Sequence, residues 1–124
     1  MKKVIVSEKA PGAIGPYSQA IEANGMVFVS GQLPIDTVTG NMATGIENQA
    51  RQSLENIRHI LEAAGLTMGH VVKTTVYLSD MAAFADMNKV YATYFDGGFP
   101  ARSAFAVKEL PKGASVEIEC IAVR

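Results

Sequence analysis

Arg102 stands in an apolar run, Phe99-Pro100-Ala101-Arg102-Ser103-Ala104-Phe105, whereas Arg51 and Arg58 fall on the polar side of a helical pattern and Arg124 ends the chain. A guanidinium so placed either reaches solvent from a strand end or pairs with a carboxylate, and its planar fork suits two-point recognition of a carboxylate. Downstream, Val116-Glu117-Ile118-Glu119 alternates, so Glu117 and Glu119 share a strand face with Ile121 and Val123, and one of them is a candidate buried carboxylate. Asn88 interrupts the apolar stripe of a helical segment between Phe84 and Tyr91. It is either a hydrogen-bonded core asparagine or a polar group turned to a ligand. Tyr17, in the turn Pro16-Tyr17-Ser18, is either a packing aromatic or part of a site.

Other chemistries find little support. His59, His70 and Cys120 form no ligand pair at helical or CxxC spacing, so a metal site is not expected. His59 reads as a helix-surface residue. The segments Gly12-Ala13-Ile14-Gly15 and Gly97-Gly98 match neither the phosphate loop nor the dinucleotide fingerprint, and their glycines read as turn residues. Cys120 shares its strand face with Val116, Ile118 and Ala122, which makes it a buried apolar thiol rather than a nucleophile.

Eleven basic against twelve acidic residues give a formal net charge of -1, and neither sign clusters. That excludes the electrostatic footprint of a dedicated nucleic-acid or anionic-membrane binder. A single cysteine forms no intramolecular disulfide, and the start Met1-Lys2-Lys3-Val4-Ile5-Val6-Ser7-Glu8 lacks the apolar core of a signal peptide, so a cytoplasmic protein is expected. No apolar run approaches the roughly 18–20 residues that span a bilayer.

The elements that must position these residues fit one domain, residues 1–124, with 48% hydrophobic and 19% charged residues. Val4 to Val6 read as a first strand, followed by a Pro- and Gly-rich loop from Ala10 to Pro16. Asn24-Gly25 between Ser18–Ala23 and Met26–Gly31 predicts a type I′ hairpin. Thr44-Gly45-Ile46-Glu47 has capping-box spacing before a helix whose buried positions run from Ile46 to Ala64, ended by Gly65. Val71 to Ser79 reads as a strand, Asp80 caps a second helix through Asp96, and Ser103–Val107 and Val116–Val123 are the last strands, with a turn at Leu110-Pro111-Lys112-Gly113 between them. The order is β-β-β-α-β-α-β-β, an α+β fold with two helices on one face of a sheet.

The strands are apolar on both faces, with Met26 and Phe28 opposed to Val27 and Val29, and Ile118 and Cys120 opposed to Ile121 and Val123. Two helices cover one face only, so the other is expected to meet further copies of the chain.

Together these segments resemble the Rid (reactive intermediate deaminase) family, also called the YjgF family. The motifs that carry the resemblance are Ala10-Pro11-Gly12-Ala13-Ile14-Gly15-Pro16-Tyr17-Ser18-Gln19, Val29-Ser30-Gly31-Gln32-Leu33-Pro34, Asn88-Lys89-Val90-Tyr91 with Tyr94-Phe95, Pro100-Ala101-Arg102-Ser103, and Leu110-Pro111-Lys112 leading to Val116-Glu117-Ile118-Glu119. They cover essentially the whole chain. The resemblance implies a chorismate-mutase-like α+β fold and a homotrimer whose sheets line a central barrel, with active sites in the clefts between subunits. It also implies hydrolysis of enamines and imines such as 2-aminoacrylate and 2-iminobutyrate to 2-keto acids and ammonia, with no cofactor. By that resemblance Arg102 binds the substrate carboxylate and Glu117 orients the attacking water, while Tyr17, Ser30, Gly31 and Asn88 line the cleft. Many members carry a cysteine where this chain has Ala104, so only the backbone amide and carbonyl of that position are expected to serve the site here. Phe105, alternating with Ala104, is expected to pack against a helix.

Two other readings remain beside the deaminase: a non-catalytic trimer that binds small carboxylates as a regulator, and an RNA-cleaving or translation-inhibiting protein, which the charge balance disfavours.

Overall fold

The computed structural model describes residues 1–124. Six strands form one sheet: β1 (Lys3–Ile5), β2 (Ala20–Ala23), β3 (Met26–Gln32), β4 (Val71–Leu78), β5 (Ala101–Ala106) and β6 (Val116–Val123). Their order across the sheet is β1-β2-β3-β6-β4-β5, every pair antiparallel except β4 with β5. β6 is therefore central, its alternating residues buried on one side and partly open on the other, and β5 is an outer strand. The last two strands are consecutive in sequence yet separated in the sheet by β4.

Two helices, α1 (Ile46–Ala63) and α2 (Phe84–Tyr91), lie on one face. The core between them and the sheet includes Leu54, Ile57, Leu61 and Met87 from the helices and Val27, Val76, Leu78, Val116, Ile118 and Cys120 from the strands. Cys120 is 3% exposed, and burial pushes its thiol up to about 12. The opposite face carries Phe28, Phe105 and Val123, all exposed, with Ile21, Tyr77 and Ile121 half-buried among them. No helix is long and apolar enough to cross a membrane.

The turns follow the chemistry of their residues. Asn24 and Gly25 take φ of 52° and 73°, the left-handed pair that a type I′ hairpin requires. Gly65 takes φ of 76°, and its N–H and that of Leu66 donate to the carbonyls of Glu62 and Leu61, closing α1 in a Schellman arrangement. The start of α1 differs from expectation. Gly45 is the N-cap and receives no side-chain hydrogen bond, so the Thr44 to Glu47 spacing makes no capping box. Asp80 caps as expected, its carboxylate accepting from the Ala82 N–H at 2.9 Å, but the segment behind it is broken. Single 3₁₀ turns at Met81–Ala83 and Ala92–Tyr94 flank α2, which is shorter than the Asp80–Asp96 span. A strand boundary also moves: β5 begins at Ala101 rather than Ser103, which places Arg102 inside a strand.

Candidate active site

The sheet divides the expected site residues into two groups. Registers fix the division, because residues paired across neighbouring strands point to the same side. Arg102 pairs with Thr74, and Thr74 with Cys120, all on the helix-covered face. Glu117 pairs with Tyr77, and Tyr77 with Phe105, all on the opposite face. Arg102 and Glu117 lie two strands and three residues apart, roughly 14 Å in the plane of the sheet at ~4.8 Å per strand and ~3.3 Å per residue. No small substrate spans both within one copy of the chain.

The first group surrounds Arg102. Its Nη1 donates to Asn88 Oδ1 at 2.6 Å, and its guanidinium carbon sits 4.8 Å from the centre of the Tyr91 ring and 5.4 Å from that of Phe84. Phe84, Asn88 and Tyr91 recur at helical spacing on α2, so one face of one helix cradles the cation. Tyr91 is itself fixed, its hydroxyl 2.7 Å from Thr74 Oγ1 in the core. Asn88 is thus a satisfied asparagine whose partner is the arginine. Ala104 points to the same helix side as Arg102 and packs at the edge of the core.

The second group lines an open cleft of about 570 Å³ on the other side, where Tyr17, Ser30, Gly31 and Glu117 meet. The register of β3 against β6 shifts between Val29 and Gln32, and this irregularity presents Ser30 and Gly31 to the cleft. Glu117 folds directly over Gly31. A Cβ placed on Gly31 would stand 2.9 Å from Glu117 Cδ and 3.2 Å from Cγ, with the carboxylate oxygen closer still. Only glycine leaves that carboxylate its place. Burial, and secondly the neighbouring charge of Glu119, push the Glu117 carboxyl above the usual carboxylate range. Tyr17 is 51% exposed at the cleft wall. Ser30 holds the loop that carries it: the serine hydroxyl donates to the Ser18 carbonyl at 2.6 Å.

One expectation is corrected. Phe105 does not pack against a helix; it is 46% exposed on the open face, edge-on to Tyr77 with ring centres 5.6 Å apart. Alternation with Ala104 was the right rule, but Ala104 itself takes the helix side, which sends Phe105 to the face of Glu117.

The site also depends on buried carboxamides that motif spacing did not single out. Gln19 accepts from the Ser7 N–H at 2.7 Å and donates to the carbonyls of Ser7, Ala10 and Pro11, fixing the start of the cleft loop. Asn56 of α1 donates to the carbonyls of Leu33 and Ile35, both cleft residues, at 3.1 Å. Gln49 joins the Ala43 carbonyl to the Ser115 N–H at the entrance to β6. The available signal was their spacing: Gln49 and Asn56 fall on the buried stripe of α1, where a polar side chain must find a partner. His59 is likewise tied down, Nδ1 lying 3.0 Å from the Lys9 carbonyl. No group of three or more His, Cys, Asp or Glu side chains is arranged to hold a metal.

Comparison with known proteins agrees with this architecture. Residues 7–124 match the family model described as Endoribonuclease L-PSP. A RutC family protein of Pyrococcus horikoshii is 55% identical over 100% of this chain and 99% of its own length. A protein of Salmonella typhimurium named 2-iminobutanoate/2-iminopropanoate deaminase is 50% identical, again over 100% and 99%. Among solved structures, E. coli TdcF with bound serine superposes with a TM-score of 0.95 at 46% identity, covering 98% of each chain. The E. coli YjgF gene product superposes at 0.96 with 47% identity, also over 98% of each. With its six-stranded sheet, its two helices and these matches along nearly the whole chain, the protein belongs to the Rid (YjgF, L-PSP) family.

Proposed function

We propose that this protein is a 2-iminobutanoate/2-iminopropanoate deaminase that acts as a homotrimer. The observation that carries the reading is the division of its site. A carboxylate-matching guanidinium on the helix side and a raised-pKa carboxylate on the open face are useless to one another in a single copy. They become one site when the open face of one copy meets the β5 edge of the next. The exposed Phe28, Phe105 and Val123 supply the apolar surface for that contact, and the names of the Salmonella relative and the bound serine of TdcF support a small carboxylate as ligand.

The chemistry needs little more. Arg102, held by Asn88 and the rings of Phe84 and Tyr91, takes the substrate carboxylate in two-point contact and sets the imine carbon opposite Glu117 of the neighbouring copy. Glu117, ionised, accepts a proton from a water as its oxygen bonds to that carbon and the C=N electron pair moves to nitrogen. Return of that proton to nitrogen completes the carbinolamine; the carbinolamine hydroxyl then gives its proton through Glu117 to the amino nitrogen as the C=O bond forms and the C–N bond breaks, giving a 2-keto acid and ammonia. A carboxyl pushed upward by burial is the stronger base for this step. Enamines such as 2-aminoacrylate enter after tautomerising to the imine. Ala104 contributes only main-chain groups beside the arginine. The same cleft in a non-catalytic carboxylate sensor would tolerate Glu117→Gln, which a water-orienting role does not.

Mixing subunits tests both parts at once. Arg102→Ala and Glu117→Ala are each expected to abolish the accelerated decay of 2-iminobutyrate. Co-refolded in equal amounts, they should regain about one quarter of the unmodified rate, since random assembly places an intact arginine opposite an intact glutamate in that share of the clefts. Absence of recovery, with assembly of the mixed trimer verified, refutes the shared site. No acceleration by the unmodified protein refutes the deaminase.

A further inference from the structure

The hydrogen bonds of Ser30 give one point of the cleft a polarity. Ser30 Oγ lies 2.6 Å from the Ser18 carbonyl oxygen, which has no proton to give. The one hydroxyl proton of Ser30 is therefore spent on Ser18, and what remains on the oxygen is acceptor capacity alone. The Ser30 main chain is equally committed: its N–H donates to the Gln19 carbonyl at 2.9 Å and its carbonyl accepts from Gln32 Nε2 at 3.0 Å. Gln19 is anchored by its buried side chain, so the Ser18–Gln19 segment that orients the hydroxyl is rigid. Ser30 lines the same cleft as Glu117, whose ionised carboxylate is also acceptor-only.

We propose that Ser30 is the specificity-determining acceptor that reads the nitrogen of the ligand. Its fixed lone pairs take an N–H from an imine, an enamine or an amine, and they oppose a keto oxygen, which can only accept. At this one position substrate and product differ in hydrogen-bond polarity: replacing N–H by C=O turns an attractive contact with Ser30 into lone pair against lone pair, which disfavours the 2-keto acid there. The choice of imino acids as ligand rests on the deaminase reading above, while the donor requirement rests on the Ser30 to Ser18 bond.

The test is a ratio of affinities, measured by titration calorimetry on the assembled protein with L-2-aminobutyrate and 2-ketobutyrate. The unmodified protein is expected to favour the amino acid. Ser30→Ala should reduce that preference about threefold to tenfold, the worth of one hydrogen bond, through loss on the amino side. Ser30→Cys, which keeps the shape but offers a poor acceptor, should lower it in the same direction, and Ser30→Thr should retain it. A loop merely loosened at Tyr17 would weaken both ligands alike, so equal weakening overturns the assignment. An unchanged ratio, or no preference in the unmodified protein, also overturns it. Hydrolysis of 2-iminobutyrate is scored separately: a protein without turnover whose amino preference still falls in Ser30→Ala fails as a deaminase and keeps Ser30 as the nitrogen acceptor.

Discussion

Gly31→Ala isolates the position of one carboxylate. The glycine is not in the left-handed region, so alanine suits its backbone, and the only conflict is with Glu117. The new Cβ would lie 2.9 Å from Glu117 Cδ, where carbon atoms prefer ~3.5–4.0 Å, so the carboxyl carbon must retreat by at least roughly 0.6–1.1 Å, and the nearer oxygen by more. A displacement near 1 Å at a reacting group costs on the order of 10²-fold in rate. The cost in stability is smaller, about 0.5–1.5 kcal/mol for a side chain forced off its rotamer. The assay is kcat/KM for 2-iminobutyrate, generated in place by a threonine dehydratase, with unfolding followed in urea. The substitution is then repeated in a Glu117→Ala background, where the conflict has been removed and the extra loss should vanish. Full activity in Gly31→Ala, or an undiminished further loss without Glu117, would refute the view that this glycine exists to make room for that carboxylate.

Three other perturbations probe separate parts of the site. Asn88→Ala removes the acceptor that orients Arg102 but leaves both aromatic rings, so KM for the imine should rise about tenfold with a smaller change in kcat, as expected for a lost charge-assisted hydrogen bond. Glu119→Gln removes the negative charge that adds to burial in raising the Glu117 carboxyl; with ionised Glu117 as the base of the proposed mechanism, the acidic limb of the pH–rate profile should move to lower pH, and an unmoved limb counts against Glu117 as the titrating base. Asn56→Leu removes the amide that donates to the carbonyls of Leu33 and Ile35, of which Leu33 keeps the Ile35 N–H, and should cost about 1–3 kcal/mol in urea unfolding, with the cleft rim loosened as well.

Much of the fold was legible because its signals are local. The Asn24-Gly25 turn needs positive φ at both positions, and the stripe from Ile46 to Ala64 needs a helix; each residue type answers to a single geometry. The faces of Glu117, Glu119 and Cys120 followed from alternation on β6 for the same reason. The errors arise where tertiary contacts decide. Glycine displaced the threonine cap at Gly45, 3₁₀ turns broke the second helix, and β5 began two residues early because β4 offered a parallel partner as far back as Lys73. Phe105 was misplaced because which side of β5 faces the helices is set by Arg102 meeting Asn88, a contact between elements that no spacing along the strand encodes. Family motifs named Arg102 and Glu117, and the register alone showed that they stand on opposite sides of one sheet.

That opposition has a genetic meaning. In the proposed trimer each cleft would draw its arginine from one subunit and its glutamate from the next, because the two stand on opposite faces of one sheet, so a copy lacking Arg102 would spoil a single cleft and leave the others whole. Activity in a cell expressing normal and Arg102-defective alleles together should fall in simple proportion to the defective share. Such an allele is recessive in character, with no poisoning of the assemblies it joins.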